Sequence, residues 1–173
     1  WKWHRNQKNK MEAGQFCPVY LFMKYYFTVI IILILDQIVK YKIRTTLAVG
    51  ERINIISGIF EITNISNSGA AWGSFAESTF ILAVISAIIS VGILMVIGMN
   101  EKLHKGYKYS LSLVAAGGLG NVADRVFFGT VTDMFSLSFF SPVFNVADIS
   151  ICLGCFSIVA LVCLEDKLKG IKR

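Results

Sequence analysis

Five aspartates occur in the 173 residues, and four of them, Asp36, Asp124, Asp133 and Asp148, lie in or beside long apolar blocks. Only Asp166 sits in a plainly aqueous tail. An ionisable side chain within a membrane span costs about 2.5–3.5 kcal/mol on insertion scales, so each of the four is a functional candidate. Asp36 has a ready structural partner in Lys40, one helical turn later, and such a pair pins a helix rather than reacts. Asp124 is preceded by Asn121 and followed by Arg125, and the three are expected on one helix face. A guanidinium beside a carboxylate holds it in the charged form, which suits positioning and not a general acid.

Asp133 and Asp148 are different. Neither has a Lys or Arg within several positions, and Asn145 stands three residues before Asp148, where its amide can orient groups on the same face. Two carboxylates brought together at a water–lipid boundary cannot both ionise freely, so they share a proton. The ionised one can take a proton from water while the protonated one polarises a carbonyl. That is aspartic-protease chemistry, with no metal and no cofactor. Spacing alone leaves a second reading open, in which the two carboxylates are solvated independently. Metal chemistry has little to draw on: the histidines are His4 and His104, and Cys152-x-x-Cys155 has neither a His nor a second Cys pair beside it. The cysteines of the last apolar block, Cys152, Cys155 and Cys163, read as small helix-packing residues.

The elements that must position these groups are membrane spans. The chain is 55% hydrophobic, with mean hydropathy +0.63 and 16% charged residues. A soluble domain carries about 25% charged residues. The apolar residues fall in four blocks, 25–43, 79–99, 107–123 and 143–164, of which the second has no charge at all. A bilayer core of about 30 Å needs about 20 helical residues. The third block is rich in small residues, Ala115, Ala116, Gly117, Gly118 and Gly120, which let helices approach closely in lipid. The expected fold is membrane all-α, a four-transmembrane-helix bundle in one domain over 23–173. Residues 1–22 do not match the rest and read as a leader, tag or upstream translation, with Met23 as an ordinary start. Between the first two spans, 49–75 is too polar to cross and alternates in Arg52–Ile56 and Gly58–Thr63, predicting a small extracytoplasmic β-rich cradle.

The net charge of +6 resides at the ends of the apolar blocks, which argues against a nucleic-acid partner. Lys102, Lys105 and Lys108 join blocks two and three, and Lys167, Lys169, Lys172 and Arg173 end the chain; 45–78 has only Arg52, and 126–142 has no basic residue. The positive-inside rule then puts both termini in the cytoplasm. Lys42 and Arg44, at the outward end of the first span, run against that rule and have no evident partner.

From Met23 onward the chain resembles the bacterial prolipoprotein signal peptidases, or signal peptidase II, an aspartic peptidase family. Asp36-Gln37-Ile38-Val39-Lys40 is similar to its D-Q-x-x-K, and Asn67-Ser68-Gly69-Ala70-Ala71-Trp72-Gly73 to its N-x-G-A-A-F/W-G. Gly117 to Arg125 resembles G-G-x-x-G-N-x-x-D-R, Val131 to Phe135 resembles V-V-D-F/M-I/F, and Phe144 to Asp148 resembles F-N-x-A-D. Five pieces in order over about 150 residues are specific where one would be weak. Thr132 stands where a second Val is usual, Ile149 where Ser is common, and the 15 residues from Asp133 to Asp148 are fewer than the family pattern suggests.

The resemblance implies cleavage of lipid-modified prolipoproteins immediately before the diacylglyceryl-cysteine, in the bacterial cytoplasmic membrane near the outer leaflet. It implies Asp133 and Asp148 as the catalytic pair. Asp36, Lys40, Asn67, Gly69, Asn121, Asp124, Arg125, Asn145 and Ala147 are implied as residues that support the site or contact substrate. Partners are then prolipoprotein substrates and membrane lipids, with the enzyme monomeric. Intramembrane aspartates also mark ion pathways, so a small proton-coupled transporter is the competing reading. A scaffold glued by polar groups is a further alternative.

Overall fold

The computed structural model describes residues 18–69 and 79–171, with side chains over 22–69 and 79–167. Four helices and four strands follow one another in these segments: α1 Pro18–Thr46, β1 Arg52–Ile56, β2 Phe60–Asn67, α2 Thr79–Met99, α3 Lys105–Phe128, β3 Val131–Leu137, β4 Phe140–Phe144 and α4 Val146–Ile171. Pro18 opens α1, a position where its missing N–H has no helical partner to lose. Helix α1 runs unbroken across the boundary placed at Met23; residues 1–17 lie outside the described residues.

Among the described residues, three helices are long and apolar enough to cross a membrane: Phe22–Thr46, Thr79–Met99 and Val146–Lys167. Their outer faces carry exposed large side chains, such as Phe27, Ile30, Ile34 and Ile38 on α1 and Phe80, Ile88 and Ile89 on α2. Such a belt is tolerated in lipid and not in water. Helix α3 has the length of a span, with 24 residues, but not the apolarity. The reason is its place: α3 packs against all three other helices, while α1 meets α2 and α4 only sparingly. Its buried residues include Lys108, Ser110, Ser112, Asn121 and Asp124. A helix sheathed by other helices can carry polar groups that lipid would not accept.

Small residues make this central place possible. A Cβ on Gly117 would strike the Ala147 carbonyl oxygen, and one on Gly118 the Ser90 hydroxyl. On α4, a Cβ at Gly154 would come within 2.6 Å of the Ser110 carbonyl oxygen. Cys152, Cys155 and Cys163 are exposed on α4 rather than packed between helices. Glycine, not cysteine, makes that seam.

The sheet is antiparallel in the order β1-β2-β3-β4. Its first half is the cradle expected between the first two spans. Its second half was not expected: β3 and β4 come from the connection between α3 and α4. The signal is hidden because Val131, Thr132, Asp133 and Met134 are all buried, so β3 lacks the in–out alternation of a half-solvated strand. Met134 joins Ile43 and Leu47 in a core that also takes in Val39, Ile62 and Phe135, fixing the sheet to the end of α1. The hairpin between Leu137 and Phe140 turns tightly, which accommodates the short run from Asp133 to Asp148. Helix α3 ends at Gly129, whose φ of 75° is left-handed and whose N–H donates to the Arg125 carbonyl at 3.1 Å. The chain turns there directly into β3.

Candidate active site

Asp133 lies on β3 and Asp148 in the first turn of α4, and Asn145, just before that helix, touches both. Its Nδ2 donates to Asp133 Oδ1 at 2.6 Å, and its backbone N–H donates to Asp148 Oδ2 at 3.2 Å. In return its Oδ1 accepts from the Asp148 N–H at 2.9 Å. The reciprocal Asn145–Asp148 pair is a capping box, with the acid at the third helical position. The local rule that starts α4 is also the rule that aims Asp148.

Each carboxylate has a second amide. Asn67 Nδ2 donates to Asp133 Oδ2 at 2.8 Å, and Asn121 Nδ2 donates to Asp148 Oδ1 at 2.8 Å. Asn67 is itself oriented by the Gly69 N–H, which donates to its Oδ1 at 2.8 Å. Gly69 has φ +95°, a left-handed conformation that favours glycine. Ala70, Ala71, Trp72 and Gly73, the rest of that motif, lie outside the described residues. Asp133 is 3% exposed while Asp148 is half-buried. Burial pushes the Asp133 carboxyl above the usual carboxylate range, against the Asn67 and Asn145 hydrogen bonds; the nearby Asp148 adds to the rise and Lys40 opposes it.

Beneath the pair is a buried ionic cluster. Lys40 Nζ lies 2.9 Å from Asp36 Oδ2 and 3.3 Å from Asp124 Oδ2, and donates to Asn121 Oδ1 at 3.0 Å. Asp36, Lys40 and Asp124 are 0% exposed. Charges so deep are tolerated only when paired and hydrogen-bonded. The two acids also grip the backbone: Asp36 Oδ1 accepts from the Ala147 N–H at 2.8 Å, and Asp124 Oδ2 from the Thr132 N–H at 2.9 Å. Ala147 and Thr132 each directly precede a candidate catalytic aspartate. A Cβ on Gly120 would sit 2.7 Å from Asp36 Oδ2 and 3.2 Å from Ala147 Cβ, so only glycine lets α3 approach there.

Arg125 does not serve Asp124. The cations on Asp124 are Lys40 and Arg44, both from α1. Adjacent helical residues point about 100° apart, so the two side chains diverge. Arg125 instead donates to the Asn121 carbonyl at 3.4 Å, and its Nε is buried without a partner among the described residues. It lines a cavity of about 530 Å³ with Thr79, Ala83 and Val122, between α2 and α3. A second, apolar groove of about 570 Å³ is lined by Phe140, Phe144, Ile149, Cys152 and Leu153 together with Asp148.

Two residues outside the nine supporting ones, Gln37 and Arg44, also join the buried cluster. Gln37 Nε2 bridges Asp36 at 3.1 Å, Asp124 at 3.1 Å and the Gly120 carbonyl at 3.2 Å. Arg44, unexplained by the loop charges, reaches Asp124 at 3.3 Å and Thr132 Oγ1 at 3.0 Å. The signal was present: 36, 40 and 44 form an i, i+4, i+8 stripe on α1. Lys42, off that stripe, is exposed. Among the described residues, no group of three or more His, Cys, Asp or Glu side chains converges as a metal site would.

Residues 28–164 match the family described as Signal peptidase (SPase) II. A lipoprotein signal peptidase of Clostridium acetobutylicum is 36% identical over 141 residues, covering 79% of this chain and 92% of that one. One from Enterococcus faecalis is 36% identical over 144 residues, covering 82% and 89%. One from Halalkalibacterium halodurans is 31% identical over 153 residues, covering 87% and 97%. Among solved structures, one described as a bacterial membrane enzyme superposes with a TM-score of 0.74 at 31% identity, covering 83% of this chain and 89% of that one.

Proposed function

The chain belongs to the signal peptidase II family, and from that premise we propose that Asp133 and Asp148 are the pair with which it cuts. It is a membrane peptidase that removes signal peptides from prolipoproteins. Family membership favours this over the transporter that intramembrane aspartates alone leave open. The observation that carries the catalytic reading is Asn145, which hydrogen-bonds both carboxylates at once.

A water between the two acids is the nucleophile. Burial favours keeping the shared proton on Asp133, so Asp148, which accepts N–H bonds at the start of α4, takes the proton of the water. The hydroxide adds to the scissile carbonyl, and Asp133 donates its hydrogen bond or proton to the oxygen that becomes negative. Collapse of the tetrahedral intermediate breaks the C–N bond, and the proton on Asp148 passes to the leaving amine of the lipidated cysteine. The free carboxyl of the signal peptide departs, and the pair again holds one proton.

Four crossings, with α3 as the inner one, complete the proposal. The sheet adjoins the C-terminal ends of α1 and α3 and the N-terminal end of α4, so it caps one end of the bundle. Lys102 and Lys105 lie at the other end, which the positive-inside rule makes cytoplasmic. The acids then face the outer leaflet, both termini are cytoplasmic and the enzyme works as a monomer. The diacylglyceryl-modified substrate enters sideways from lipid, its apolar parts occupying the grooves whose linings include Asp148 and Arg125.

Purified protein incubated with a diacylglyceryl-modified prolipoprotein should convert it to a faster-migrating band cut before the lipidated cysteine, equally with or without a chelator. Asp133→Asn and Asp148→Asn should each abolish conversion. Full activity in either variant removes that residue from the chemistry.

A further inference from the structure

Arg44 and Thr132 meet in a closed triangle with Asp124. The Arg44 guanidinium lies 4.0 Å over the Phe128 ring, and one nitrogen reaches Asp124 Oδ1 at 3.3 Å and donates to Thr132 Oγ1 at 3.0 Å. Asp124 Oδ2 in turn accepts from the Thr132 N–H at 2.9 Å. Thr132 is therefore held through both backbone and side chain by two groups that also hold each other. We propose that Arg44 and Thr132 form a positioning clamp for Asp133. The proposal rests on the reading of Asp133 as catalytic.

The need for a clamp is visible in the sheet. Strand β3 pairs with β2 at Thr132↔Ser66 and Asp133↔Ile65, but the register shifts between Ile62 and Ile65, immediately beside Asp133. An irregular ladder fixes a strand less firmly than a regular one. Adjacent Cα atoms are about 3.8 Å apart, so holding Thr132 at two points, backbone and side chain, leaves Asp133 little freedom to drift. Arg suits this work better than Lys: its planar fork stacks on Phe128 while donating to two acceptors. Valine at 132 would keep the shape and the Asp124 bond to the backbone but leave Arg44 one acceptor short.

The clamp also sets charge. Asp133 is faced by Asp148 from α4, Lys40 from α1 and Arg125 from α3, with the Arg44–Asp124 pair one residue behind it. Asp36 and Asp124 balance Lys40 and Arg44, two against two. Without the Arg44 cation the cluster is left with one excess negative charge, which favours the protonated form of Asp133.

The test uses the full chain in detergent with the diacylglyceryl-modified prolipoprotein, with rates normalised to folded protein. Wild type and Asp133→Asn come first; an active D133N overturns the reading of the pair itself. Thr132→Val should then lower kcat about tenfold with KM unchanged, the scale of a lost hydrogen bond to a charged group. Thr132→Ser, which keeps the hydroxyl, should retain near-normal kcat. Arg44→Gln should lose kcat at least as much and move the alkaline limb of the pH–activity curve, set by loss of the proton held on Asp133, to higher pH. Arg44→Lys should restore that limb without restoring kcat. The double variant R44Q/T132V should be no slower than R44Q alone, because both changes break one contact. Should R44Q not fold, the contrast between T132V and T132S decides the matter by itself. Unchanged kcat in folded T132V, an equal loss in T132S, or multiplicative losses in the double variant would overturn the clamp.

Discussion

Replacing Lys40 by Met separates what the buried cluster does for stability from what it does for the reaction. At 2.9 and 3.3 Å from its two carboxylate partners, and with an effective dielectric of about 20, the lysine gains roughly 5 kcal/mol from each. Most of that is offset by desolvation of the ions, several kcal/mol apiece. Removing one partner of a buried pair nonetheless costs about 3–5 kcal/mol, because the remaining charge is stranded. Arg44 still neutralises Asp124, which puts the expected loss at the lower end, about 3 kcal/mol. For a chain of this size that lowers Tm by on the order of 10 °C. The double variant Asp36→Leu/Lys40→Met removes the stranded acid and leaves Arg44–Asp124 balanced, so most of the Tm should return. Activity should not return, because the Ala147 N–H loses its 2.8 Å acceptor and Asn121 its lysine. Thermal unfolding in detergent and the prolipoprotein gel-shift assay read the two effects separately. A K40M Tm indistinguishable from wild type, or a double variant as unstable as the single one, would refute the reasoning.

Three further expectations follow from the same geometry. Asp133 has a folded pKa raised above its unfolded value, so its contribution to stability is full below the unfolded value and is lost as pH rises through the raised one; D133N should flatten that part of the Tm–pH curve, and an identical curve in both proteins would contradict it. Gly120→Ala should destabilise by about 1–3 kcal/mol, since the new methyl meets Asp36 Oδ2 at 2.7 Å and cannot be absorbed without moving α3; unfolding in detergent measures it, and an unchanged Tm speaks against the close approach. Asn145→Ala should cost about 1 kcal/mol as a lost cap and far more in kcat, because the Asp133 carboxylate loses its 2.6 Å donor and the Asp148 N–H loses the side-chain acceptor that caps its helix; a loss confined to stability would deny Asn145 its bridging role.

Much of the site was legible because it is built from short local rules. The i, i+4 spacing of Asp36 and Lys40 requires only a helix to bring them together, and they do pair. Asn145-x-x-Asp148 is a capping spacing, and the structure uses it as one. The three strongly apolar spans were equally plain, since lipid selects composition directly. Helix α3 was legible as a helix through its small residues, yet its polarity made sense only once its central position was known.

The sequence by itself determined which residues could carry acid–base chemistry, that the chain enters a membrane, and, through its ordered motifs, its family. Tertiary structure decided who partners whom. Asp124 turned from the adjacent Arg125 to Lys40 and Arg44, which lie about 80 positions away in the chain. The β3–β4 hairpin completed a sheet begun between α1 and α2, although burial on both faces had erased the alternation of β3. Local spacing fixes contacts within a turn or a helix, whereas contacts between elements depend on how whole faces pack. In this protein the central helix α3, narrowed by glycine, makes that choice.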